Sequence, residues 1–200
     1  RLQQQVAPLA TTGLLLVDVG QVRAAVEAMP WVERAYVRRL WPDQLLLTVI
    51  EQVPLARWDA GHLVNRHGDL FAVATAEQPA GLPELVGPAG QSRRLAEQYR
   101  LLDGLLGRAQ QRVTRLELDP RRAWRLTLAS GLEVELGRSE VRQRLQRLVG
   151  LLLGWPAERL ATVARIDLRY SNGFAVRWHA GGGEPALAEP AAAAGRAGQT

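Results

Sequence analysis

The chain contains no cysteine and no lysine, and its 200 residues include one methionine and two phenylalanines. Without a thiol there is no cysteine nucleophile, no disulfide framework, no thiolate zinc site and no ligand for an iron–sulfur cluster. Without lysine there is neither a phosphate-binding P-loop nor a Schiff base. The longest apolar runs, "GLLLV" and "LVGLLLGW", fall well short of the ~20 residues a membrane-spanning helix requires. Long blocks of one charge are missing too. The formal net charge is +5, but Asp and Glu interleave with Arg along most of the chain, which disfavours a polyanion binder. The sequence opens on Arg1 inside an amphipathic pattern, with no initiator methionine and no secretory signal. It is therefore expected to belong to a longer chain whose anchor or address lies upstream.

What is present describes a globular chain: 47% hydrophobic and 22% charged residues suffice for one core or two small ones. Catalytic constellations are hard to assemble from it. Of the serines, Ser92, Ser130, Ser139 and Ser171, none stands in a G-x-S-x-G elbow. His62 and His67 are five apart in a Gly-flanked turn, on opposite faces of a strand and without a nearby third ligand. Glu117 with Asp119, and Glu133 with Glu135, are same-face strand carboxylates of the kind a solvated sheet surface carries. The expectation is a protein without catalytic, cofactor or metal sites.

Periodicity divides the chain. Leu2, Val6 and Leu9 sit at helical spacing before Pro8 and Thr11-Thr12-Gly13 end that segment. Asp18 and Gln21 have the form of a capping box for a second helix, with Val22, Ala25, Val26 and Met29 inward and Pro30 at its end. From Glu33 the period becomes two. Ala35 and Val37 alternate with Arg34, Tyr36 and Arg38, and "LLLTVIEQ" returns as a second strand. Val53-Pro54 marks the expected boundary, because proline cannot donate into a central ladder. Short extended pieces follow, then a helix from Ser92 with Leu95, Tyr99, Leu102 and Leu106 on one face. "RVTRLELD", "RAWRLTLAS" and "GLEVELG" predict a meander, with Trp124, Leu126 and Leu128 opposite Arg125 and Thr127. A last helix capped at Ser139 buries Val141, Leu145, Leu148 and Leu152 and leaves Arg142, Arg144 and Arg147 on other faces. The fold class is α+β, with units at 1–52 and 53–179. Residues 180–200, rich in Gly, Ala and Pro, are expected to form a disordered tail, having too little apolar surface to offset the entropy of ordering.

The segment "RIDLRYSNGFAVRW", Arg165 to Trp178, predicts two strands around an Asn172-Gly173 turn. Nothing downstream looks able to pair with the second of them. Tyr170, Phe174 and Trp178 are large side chains at this margin, and a free apolar edge is a hazard unless something pairs with it. Either the edge receives another segment, or the tail folds back, or the strand inserts between two others.

"MPWVERAYVRRLWPDQLLLTVIEQVPLARW", then "LVNRHGDLF", "RRAWRLTLASGLEVELGR" and "IDLRYSNGFAVRW", taken in order, resemble the FtsQ/DivIB family of bacterial cell-division proteins over about Leu2 to Trp178. The resemblance implies an incomplete POTRA domain (helix, helix, strand, strand, its first strand missing) followed by a β-domain of mainly antiparallel strands with two helices. It implies a non-enzymatic divisome scaffold for septum formation, anchored in the inner membrane by an N-terminal helix absent from this chain, with this part in the periplasm. It further implies binding of FtsB and FtsL by strand addition. Matched residue by residue, Arg169, Tyr170, Ser171, Gly173, Phe174 and Trp178 fall in the partner-binding hairpin, with Arg122 flanking it toward an acidic segment. Arg34, Val37 and Arg39 match a recruitment surface. The alternative is a POTRA module of outer-membrane assembly or secretion, which would need a β-barrel sequence downstream. A third possibility is an arginine-dependent binder of anionic polymer.

Overall fold

The change of period at Glu33 separates a helix from a hairpin. Asp18 caps α1 (Val19–Glu27), its Oδ1 accepting from the Gly20 and Gln21 amides at 2.8 and 3.3 Å. These satisfy donors that a helix N-terminus leaves without an intrahelical partner. Val22 and Val26 are buried, whereas Ala25, expected on the same face, is exposed. β1 (Val32–Leu40) and β2 (Gln44–Glu51) pair antiparallel. Val26, Val32 and Ala35 form a small core, with Met29, Leu47 and Val49 packed on it. This computed structural model describes residues 18–42, 44–171 and 173–179. The helix expected at Leu2–Leu9 and the tail at 180–200 lie outside the described residues, as does Asn172.

A second sheet takes up the rest. Its strands are β3 (Pro54–Arg57), β4 (His62–Asn65), β5 (Leu70–Ala72), β6 (Glu84–Val86), β7 (Val113–Leu118), β8 (Trp124–Leu128), β9 (Glu133–Gly137), β10 (Val163–Asp167) and β11 (Ala175–Trp178). Their order is β11-β10-β9-β8-β7-β6-β3-β4-β5. The expected meander is β7-β8-β9, turned at Ser130-Gly131, where Gly131 adopts φ 85°. Three adjacent pairs, β3–β6, β6–β7 and β9–β10, are parallel. A parallel pair needs a crossover. Between β6 and β7 it is α2 (Ser92–Leu106), and between β9 and β10 it is α3 (Val141–Gly154) with the short α4 (Ala157–Ala161).

These helices cover one face only. Leu116, Leu126, Val134 and Ile166 from the strands meet Leu95, Leu102, Leu145 and Leu148 from α2 and α3, all fully buried. Each such leucine contributes about 2 kcal/mol relative to exposure. The other face bears Arg115, Glu117, Arg125, Thr127, Glu133 and Arg165, which line a shallow polar hollow. Alternation along each strand sends apolar residues to the helices and charges to solvent.

The cap expected at Ser139 is corrected. α2 follows Gln91 and α3 follows Glu140, neither with a side-chain cap. At α3 the chain leaves β9 through Gly137 (φ 73°) and turns into the helix at Glu140 (φ 54°), so Ser139 stands outside the capping position. Arg144, expected on an outer face, is buried: its Nη1 donates to the Leu136 carbonyl at 2.7 Å, and its Nη2 lies 3.6 Å from Glu140. A Cβ on Gly137 would lie 2.7 Å from that Nη1. Only glycine leaves room for the arginine.

The two sheets meet at Trp31. Its ring packs edge-on against Phe71 at 5.7 Å, beside Leu63 and Val73. The Gln52 amide donates to the Trp31 carbonyl at 2.9 Å, and the Gln52 side chain accepts from buried Asn65 at 3.0 Å. Asn65 Oδ1 accepts from the His67 and Asp69 amides. Among the described residues no helix is long and apolar enough to cross a membrane.

Candidate functional site

β11 ends the sheet. Its hydrogen-bonded neighbour is β10, with Asp167 facing Ala175 and Val163 facing Trp178. In an antiparallel pair, every second residue turns its amide and carbonyl away from the partner. On a terminal strand those groups point outward. The connection between the strands is longer than the tight turn expected at Asn172-Gly173, since it runs from 168 to 174.

An arginine from α3 holds that connection. Arg147 Nη1 donates to the carbonyls of Tyr170, Ser171 and Gly173 at 3.3, 3.2 and 3.3 Å, and Nη2 donates to Tyr170 as well. A guanidinium suits this because its several donors are fixed in one plane. With its carbonyls gathered inward, the loop presents the Tyr170 side chain outward, 57% exposed. Ser171 is exposed too. No described atom lies within 4 Å of a Cβ built on Gly173.

The other aromatic residues are less bare than an open edge implied. Trp155, at the C-terminus of α3, stacks on Trp178 (6.3 Å, 19°) and meets Phe174 edge-on at 6.0 Å. Arg159 lies 4.4 Å above the Trp155 ring. Trp178 is half-buried in consequence, and Phe174 keeps 40% exposure. Between α3 and the loop lies an apolar hollow of about 580 Å³, lined by Gly150, Leu151, Gly154, Trp155, Gly173 and Phe174. The glycines of α3 leave it open on the helix side.

Arg169 turns to the other face. It chelates Asp167 (Nε–Oδ1 2.9 Å, Nη2–Oδ2 2.6 Å) and reaches Glu135 at 3.0 Å. The bond from Arg169 is the main reason Asp167 titrates below the usual carboxylate range, while burial opposes the shift. Arg122 sits in the β7–β8 turn with φ 65°, its amide bonded to the Asp119 carbonyl at 2.8 Å. Because β10 runs parallel to β9, that turn and the 168–174 loop share one end of the sheet. Arg169 and the turn residues Asp119 and Ala123 line one small hollow there. Of the partner-binding residues expected from the sequence, Arg169, Tyr170, Ser171, Gly173 and Phe174 lie in the loop at this end of the sheet, Arg122 is two strands inboard of the edge strand's neighbour, and Trp178 is at the far end of β11, opposite Val163.

The three POTRA positions do not share a face. Arg34 lies with exposed Tyr36, its Nη1 3.5 Å from the tyrosine hydroxyl, while Val37 and Arg39 are on the opposite side, facing Leu47 and Leu45. Two residues went unforeseen, Arg147 and Trp155. Arg147 stands one residue before the buried Leu148, and Trp155 closes an apolar helix just before Pro156. Neither position announces which loop it will hold.

A helix-and-hairpin unit followed by a large one-sided sheet defines the class: a POTRA domain joined to a C-terminal β-domain. Residues 1–52 match the model for the FtsQ-type POTRA domain, and residues 56–169 match that for the C-terminal region of cell division protein FtsQ/DivIB. The chain is 36% identical over 99% of its length to cell division protein FtsQ of Allochromatium vinosum, covering 79% of that protein. It is 41% identical over 82% of its length to FtsQ of Nitrosospira multiformis (68% of that protein), and 34% over 93% to FtsQ of Xanthomonas campestris pv. campestris (66%). The chain belongs to the FtsQ/DivIB family of cell-division proteins. Its role lies in bacterial cell division, in a family of division-site membrane proteins with a periplasmic domain.

Proposed function

We propose that the protein is a non-catalytic divisome scaffold, and that the outer edge of β11 receives an extended segment of the FtsB/FtsL pair as an added strand. The observation that carries this is the sheet order, in which β11 is terminal and has β10 as its hydrogen-bonded neighbour. In strand addition, main-chain bonds give affinity and side-chain pockets give specificity. The apolar hollow beside Phe174 suits one apolar side chain of the incoming strand. Tyr170, held outward by the Arg147 clamp, flanks it. Arg169 and Arg122 supply positive charge at the same end, and Ser171, Gly173 and Trp178 complete the contact. The protein links early to late division proteins from the periplasmic face of the inner membrane, held there by an N-terminal helix. In the POTRA unit, recruitment to the division site falls to Arg34, Val37 and Arg39.

The test is capture of the protein by the periplasmic part of FtsB, comparing wild type with Tyr170→Ala and Gly173→Asp. Both variants are expected to lose binding while retaining the wild-type circular dichroism spectrum, because one side chain is exposed and the other position has open space around it. Undiminished binding by both would refute docking at this edge.

A further inference from the structure

The helix-free face of the large sheet is a lattice of charges, and the strand register shows where it stops. One row of facing positions runs Glu84, Arg115, Thr127, Glu133, Arg165, Arg177 from β6 to β11. The next row runs Glu117, Arg125, Glu135, Asp167, Ala175. Inside the lattice each guanidinium meets carboxylates. Arg115 bonds Glu84, Arg125 lies 3.7 Å from Glu117 and 3.5 Å from Glu135, and Arg165 and Arg169 both engage Glu135. Opposite charges facing one another across strands stabilise a sheet, and like charges do the reverse.

Glu135 and Asp167 also face each other, but Arg169 bridges them; at the outermost strand that compensation fails. Arg177 faces Arg165 in register, is exposed, and has no ion pair among the described residues. It opens on a hollow of about 330 Å³ that also holds Glu135, Arg165, Asp167 and Arg169. Both carboxylates there are already engaged by Arg165 and Arg169. Among the described residues Arg177 is the surplus cation of this hollow. An edge arginine discourages indiscriminate pairing, yet the same charge favours a strand that brings its own carboxylate. Meanwhile Val176 and Trp178, on the alternate positions, pack toward the helices.

We infer, building on strand addition at β11, that Arg177 selects the incoming segment: the added strand carries an Asp or Glu on the open face opposite Arg177, alternating with apolar residues on the helix side. Side chains of a strand alternate between faces, so the two sets fall at every second residue. A basic residue at that position would meet Arg177 directly, with Arg165 one strand further in adding to the positive field, and be rejected.

The experiment uses the full chain and the periplasmic part of FtsB as probe, with affinity measured at low and high salt. Arg177→Glu is expected to weaken binding about tenfold and Arg177→Ala about threefold, the latter with a shallower salt dependence. Each Asp and Glu of the captured FtsB segment is then changed to Arg in turn. One of these changes should restore binding to Arg177→Glu while weakening binding to wild type. Thermal melting of each variant checks the fold. Wild-type affinity in Arg177→Glu, or a loss that no reversal restores, overturns the inference. If Tyr170→Ala still abolishes binding in that case, docking at the edge stands and only the charge selection falls. If Tyr170→Ala and Gly173→Asp bind as wild type does, or FtsB does not bind at all, both fall.

Discussion

The two ends of the large sheet are finished differently. At the β5 end, Phe71 is buried against Trp31, Asn65 ties β4 to Gln52, and Arg93 reaches Asp69 at 2.7 Å. Side chains from the POTRA unit and from α2 are spent on that margin. At the β11 end, residues from α3 and its C-terminus, Arg147 and Trp155, hold the loop and the inner side of the strand, while no strand among the described residues pairs with the outward margin. One end is tied to the rest of the protein, and the other, under the strand addition proposed above, is ordered from its inner side only. Rigidity matters there because a strand already ordered loses less entropy when a second is added.

Substitutions can break this contrast. The largest effect is expected from Phe71→Ala, which empties the joint between the sheets and should cost about 3 kcal/mol in urea unfolding while leaving FtsB capture unchanged. Loss of capture would mean that the two ends are coupled. Trp155→Ala removes the platform under Phe174 and Trp178. It should cost about 2 kcal/mol, and amide exchange should accelerate over 175–178 while β5 stays protected. A uniform acceleration across the sheet would instead show that the edge has no local stability of its own. The smallest effect is a pH dependence. Asp167 has its folded pKa depressed, chiefly by Arg169, so its contribution is complete above the unfolded value and is lost as pH falls through the folded one. Unfolding curves from about pH 5 to about pH 2 should therefore fall less steeply for Asp167→Asn than for wild type, with no difference between the proteins' slopes near neutrality.

Much of this was legible in the sequence wherever a period repeats. Trp124, Leu126 and Leu128 face the core as their alternation requires, and Leu95, Tyr99, Leu102 and Leu106 form the buried stripe of α2. The same parity separates Arg34 from Val37 and Arg39. Long-range pairing was not legible. No local pattern says that β6 lies between β3 and β7, since parallel neighbours are joined through distant crossovers. Arg144 was misplaced because its burial depends on a carbonyl left over at the end of β9 and on a glycine that makes room, both outside the helix that carries it. The corner formed by 168–174 was visible as a cluster of motif residues. What fixes its shape, the guanidinium of Arg147, comes from an element more than one turn of chain away.

The parallel placement of β10 beside β9 makes the last strand depend on a distant crossover. β11 pairs with β10, and β10 reaches β9 only across the α3 crossover, so this margin has its shape only where that crossover is in place. Under the strand addition proposed above, a copy without that crossover has no formed edge to offer, so docking at β11 would report on the completed sheet.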